Sequence, residues 1–75
     1  MTPRLPTLKA REVLAALQKA GWAVHETVGS HHQLKHPDIP GKVTLPMHPG
    51  DFPRRLLFRV LRQADMTQDE FRKFL

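Results

Sequence analysis

The chain has 75 residues, of which 12 are Lys or Arg and seven are Asp or Glu, so it carries a net charge of +5. It has no cysteine, which excludes disulfides and thiolate metal sites, and no apolar run approaches the roughly 20 residues that span a bilayer. So short a chain is expected to form one domain over residues 1–75, with a thin core and a site confined to one small surface, and its basic balance favours a polyanion, most often nucleic acid, as partner.

The opening stretch M-T-P-R-L-P-T does not read as a signal peptide, and with the absence of cysteine it fits a cytoplasmic location. Thr7 is the expected N-cap of a helix over residues 8–20, whose apolar stripe is Ala10, Val13, Leu14, Leu17 and Ala20. Gly21 supplies its C-terminal stop. Trp22 to Val28 predicts a strand with Trp22, Val24 and Val28 on one face and Ala23, His25 and Thr27 on the other. Gly29-Ser30 is a tight turn, and His31 to His36 a second strand. A loop with two prolines, Pro37 to Gly41, leads to a third strand over Lys42 to Pro46. Asp51 is expected to cap a helix that has Pro53 in its first turn. Its apolar stripe is Leu57, Val60, Leu61 and Ala64, and Arg55, Arg59 and Arg62 share the other face. Leu56 and Phe58 flank that stripe and read as core, the alternative being an exposed patch for a protein partner. Thr67 to Glu70 is a capping-box pattern, so Phe71, Phe74 and Leu75 are expected to pack down from a short terminal helix.

Helix, three antiparallel strands, helix and a tail helix make an α+β two-layer sandwich with one sheet face uncovered. The order matches the double-stranded-RNA-binding (dsRBD-like) fold, although a fold alone assigns no function.

The histidines carry the chemistry. Along the second strand Leu34 marks the core face. His32 shares its parity and reads as a core-edge histidine donating to a backbone carbonyl, whereas His31, Gln33 and Lys35 point to solvent. His25 and His36 read as ordinary polar residues. If the second and third strands pair closely, His48 in Pro46-Met47-His48-Pro49 comes near His31. Imidazole is the side chain whose ordinary pKa lies nearest neutrality. It can take a proton from a ribose 2′-hydroxyl so that the oxygen attacks the adjacent phosphate, while a second histidine or a lysine protonates the leaving oxygen or stabilises phosphate charge. Such cleavage needs no metal, and it leaves a cyclic phosphate or 3′-phosphate and a 5′-hydroxyl. Ser30 and the Gly29 backbone are candidate phosphate contacts, with glycine keeping bulk out of the way. Zinc held by His31, His48 and Asp51 is the weaker alternative.

Gly29-Ser30-His31-His32, Leu34, His36-Pro37, Val43-Thr44-Leu45-Pro46 and His48-Pro49 together resemble the HicA toxin family, small mRNA interferases of type II toxin–antitoxin systems. Leu17 to Trp22 and Leu61 to Ala64 extend the resemblance over nearly the whole chain. It implies a dsRBD-like fold and endoribonuclease activity on mRNA without a cofactor or metal. It implies a single catalytic histidine at His31, with His32 as second choice, and neutralisation by a HicB antitoxin that covers the active surface. Gly29, Ser30, Lys35, His48, Arg55, Arg59 and Arg62 are the supporting or RNA-contacting candidates. Members carry Gly-Thr where the second helix begins; Arg55-Leu56 stands there in this chain, so the role of that pair does not carry over. The competing readings are a non-catalytic RNA-binding module, with the three arginines tracking phosphates, and a degenerate toxin that only binds its antitoxin.

Overall fold

Ala10, Val13, Ala16 and Leu17 recur at helical spacing, and all four are buried on one side of the first helix, α1 (Ala10–Lys19). The computed structural model describes residues 5–75; residues 1–4 of the stretch read as lacking a signal peptide lie outside the described residues. The start of α1 differs from expectation, because Lys9 rather than Thr7 is the N-cap. Leu8 is drawn into the core, its carbonyl accepts the Phe52 N–H at 2.6 Å, and Lys9 bridges antiparallel to Asp51. Those pairings hold residues 8 and 9 extended, and the Glu12 carboxylate takes the Lys9 N–H at 2.8 Å. The other end closes as expected. Gly21 adopts φ +103°, Trp22 N–H reaches the Leu17 carbonyl and Gly21 N–H that of Gln18, each at 3.0 Å, which satisfies two of the orphan carbonyls.

Three strands follow in an antiparallel sheet of order β1 (Ala23–Val28), β2 (His31–Lys35), β3 (Val43–Pro46). Leu34 pairs with Val43 and His32 with Leu45, and Leu34, Val43 and Leu45 are completely buried beneath the helices. Gly29 takes φ +59° in the two-residue β1–β2 turn, a conformation that disfavours side chains other than glycine. β1 is an exposed edge strand throughout. A bulge between Val24 and Glu26 leaves His25 unpaired. The extra residue reverses the parity beyond it, so Val24 lies on the Leu34 side while Val28, 60% exposed, lies with His31. The expected common face of Val24 and Val28 is therefore wrong. β2 also ends one residue early, because His36 turns aside to hold the Ala20 carbonyl.

The second helix, α2 (Arg54–Gln63), buries Leu57, Val60 and Leu61, with Ala64 just beyond it. Its N-cap is Pro53; Asp51 is instead paired with the Lys9 ammonium at 2.8 Å. Arg54 is anchored separately, its guanidinium donating to the Leu5 carbonyl at 2.7 Å. Gln63 Oε1 accepts the outward N–H of Thr44 at 2.9 Å, so α2 covers a backbone donor that β3 would otherwise leave open at its edge. A last short helix, α3 (Gln68–Arg72), begins with the expected box: Thr67 N–H to Glu70 Oε1 at 2.8 Å and Glu70 N–H to Thr67 Oγ1 at 3.1 Å. Phe71 is fully buried and Phe74 partly, but Leu75 remains 45% exposed rather than packing down. The architecture is the α+β dsRBD-like sandwich, with one sheet face bare.

Two consequences are measurable. A Cβ at Gly21 would lie 2.5 Å from His36 Nε2 in a left-handed backbone, so Gly21→Ala should cost at least about 1–2 kcal/mol in denaturant unfolding. The Thr67 N–H, and then its hydroxyl, hold the Glu70 carboxyl below its ordinary value. A carboxylate whose folded pKa is lowered contributes stability above its unfolded pKa and loses it as pH falls through the folded one. Hydrogen exchange at the α3 amides should accordingly show protection declining on acidification, and Glu70→Gln should remove that decline.

Candidate active site

β2 places His31, Gln33 and Lys35 on the face turned away from the core, and the cross-strand partners of the first two, Pro46 and Thr44, share it. His31 is exposed. Pairing runs one step past β3, as Met47 N–H donates to the Ser30 carbonyl at 2.7 Å. That bond carries the following residue, His48, up to the turn, and its ring meets His31 edge-on, with centroids 6.2 Å apart and planes at 77°. The expected approach of these two imidazoles is present.

Each ring opens onto a depression. His31, Thr44, Pro46 and Gln63 line a cleft of about 160 Å³ whose far wall includes Leu56 and Arg59 of α2. His48 lines a wider hollow of about 370 Å³ with Lys9 and Arg11 of the α1 end. The touching rings join the two. The cleft has a polar ladder that the sequence reading did not single out: Thr44 Oγ1 donates to Gln33 Oε1 at 2.9 Å, and Thr44 N–H donates to Gln63. Parity from His31 to Gln33, followed across the sheet to Thr44, was the available signal. Gln63 has no such signal, because α2 reaches it only through packing.

Arg59 also lines the outer face of α2 with Arg55 and Arg62. None of these three guanidiniums forms an ion pair among the described residues, and Arg59 lines both the outer face of α2 and the His31 cleft. Lys35 is exposed on the same face but stands four residues along β2 from His31, about 13 Å at strand rise; the structure does not bring it to the rings. Gly29 faces open space, with nothing within 4 Å of an added Cβ, so its positive φ rather than crowding demands glycine. Ser30 is exposed at the turn.

The remaining histidines have local tasks. His32 is half-buried on the Leu45 side, and its Nδ1 lies 3.0 Å from Thr27 Oγ1. The partner is a hydroxyl, not the expected carbonyl, because the β1 bulge rotates Thr27 onto the face of His32. His36 Nδ1 accepts the Asp38 N–H at 3.0 Å, which leaves Nε2 to donate to the Ala20 carbonyl at 3.0 Å. Its ring stands edge-on to Trp22 at 5.3 Å, tying the loop after β2 to the end of α1. His25 is the exposed bulge residue. Asp51, required for the zinc alternative, is held by Lys9. Among the described residues no three His, Asp or Glu side chains converge as metal ligands.

The arrangement suits proton transfer: two imidazoles in contact, accessible from outside, with a guanidinium on the opposite wall for an anion. Among the described residues no helix is long and apolar enough to cross a membrane. No curated protein matches the chain in sequence. The family model described as "HicA toxin of bacterial toxin-antitoxin" matches residues 10–66, which runs from the first residue of α1 to just past α2 and takes in both histidines of the site. The chain therefore belongs to the HicA family: it is the toxin of a toxin–antitoxin pair, and an antitoxin is its partner.

Proposed function

We propose that this toxin is an mRNA endoribonuclease, formed as one domain by residues 1–75 and acting in the cytoplasm, with His31 as its general base. The observation that carries the reading is the free His31 ring on the bare sheet face, edge-on to His48 and across a cleft from Arg59. His31 takes the proton of a ribose 2′-hydroxyl. The 2′-oxygen forms a bond to the adjacent phosphorus, and the bond from phosphorus to the 5′-oxygen breaks. His48 gives its proton to that leaving oxygen. The products are a 2′,3′-cyclic phosphate and a 5′-hydroxyl, and imidazole chemistry of this kind needs no metal. Arg59 faces the non-bridging oxygens, where negative charge builds during attack, while Arg55 and Arg62 extend the phosphate track. Gly29 and Ser30 leave the turn low enough for the backbone of the strand to approach. His32, the second candidate for the base, is half-buried and already bonded to Thr27, which supports His31. A HicB-like antitoxin that covers this face would block all of these contacts together.

His31→Ala should lower single-turnover cleavage of an mRNA by about 10²–10⁴-fold, the usual worth of a positioned acid or base, and should abolish growth arrest on induction. Full activity in that variant excludes His31 as the base, and wild type that binds RNA without cutting it favours the non-catalytic alternative. His48→Ala should fall in the same range, with the double variant scarcely worse than either single one, since the two rings serve one step. Arg59→Ala should flatten the dependence of log affinity on log salt by about 0.7, as expected when one phosphate contact to a single strand is lost.

A further inference from the structure

Phe58 flanks the apolar stripe and is expected in the core, with an exposed patch for a partner as the alternative, yet it is turned outward on α2 and is 39% exposed. Leu56, its companion in that reading, is partly buried and packs against the core. The Phe58 ring lines a concavity of about 370 Å³ whose other walls are Arg55, Arg59 and Arg62. Arg55 and Arg62 stand three and four residues from it, hence one turn to either side on the same helix face. Phe58 is the one apolar side chain in that lining.

An accessible ring encircled by guanidiniums is the combination by which proteins hold unpaired nucleotides, with a base stacked on the aromatic face and its phosphates on the cations. Arg59 lines both this concavity and the His31 cleft, so the two depressions adjoin at that side chain. A lone ring without apolar neighbours offers little to a protein partner that relies on hydrophobic packing, but a single ring is sufficient to stack one base. A base within a duplex is already stacked and cannot reach the ring.

We propose that Phe58, flanked by Arg55 and Arg62, is a stacking subsite for one unpaired base of the RNA engaged at His31. It rests on the ribonuclease reading and adds to it a requirement for single-stranded substrate next to the cut.

The test uses full-length protein carrying His31→Ala, so that RNA is bound without being consumed, and two labelled RNAs, an unstructured strand and a duplex. Phe58→Leu in this background should weaken binding of the unstructured strand about tenfold, within the range measured for loss of one base stack. It should leave the duplex unaffected and the salt dependence unchanged, since no charge is removed. Phe58→Trp should restore the affinity, with quenching of the new indole emission as a base stacks on it. Equal affinity of the parent and Phe58→Leu for the unstructured strand overturns the subsite and leaves the ring to the antitoxin interface. Failure of the parent itself to bind either RNA at low salt overturns the ribonuclease reading and the subsite together.

Discussion

Leu34 opposite Val43, and His32 opposite Leu45, set a register that decides the face of every side chain in the centre of the sheet. Burial of Leu34, Val43 and Leu45 enforces it, because a one-residue slip of β2 would turn Leu34 into solvent and carry His31 into the core. The same register seats Met47 on the Ser30 carbonyl and thereby brings His48 to His31. The hydrophobic effect thus positions the imidazoles indirectly. Neither ring is buried or locked by hydrogen bonds to its neighbours among the described residues; the paired strands beneath them fix where they stand.

The distribution of charge supports the same surface. Four of the seven acids have local tasks: Glu12 and Glu70 receive backbone N–H groups at helix starts, Asp51 pairs with Lys9, and Asp69 pairs with Arg72. None of these tasks lies on the outer face of α2, where Arg55, Arg59 and Arg62 stand together. Like charges on one helix face repel, and the fold tolerates that repulsion because the side chains reach into water. A polyanion relieves it on binding, with release of counterions. The cationic face is consequently a property of the free toxin.

The five histidines divide by environment rather than by position in the chain. His36 is enclosed between Gly21, Trp22 and the Asp38 N–H, and its two nitrogens have fixed and opposite roles. His32 leans on Thr27 at the sheet edge. His25 occupies the bulge that makes the Thr27 contact possible. Only His31 and His48 combine accessibility with each other's company. Adjacent in sequence, His31 and His32 belong to opposite faces of the strand and therefore to different chemistry.

Much of this was legible from residue order. The 3.6-residue recurrence of Leu57, Val60, Leu61 and Ala64, the glycine stop at Gly21, the box at Thr67, and the parity that separates His31 from Leu34 are local patterns, and each appears in the structure. Other features depend on partners remote in the chain. Thr7 lost its capping role because Leu8 and Lys9 pair with Phe52 and Asp51. The bulge at His25 reversed the face of Val28, since strand parity holds only while residues pair one to one. Phe58 is a different case: Arg55 and Arg62 stand three and four residues from it, so the helical period alone turns it outward with them. By itself, then, the amino-acid order determined the elements, the core stripe and the exposed imidazole, because short-range backbone geometry and apolar periodicity dictate them. The contact between His31 and His48 and the cleft shared with Arg59 were decided only by the packed chain, because each requires segments far apart in sequence to meet at one fixed register.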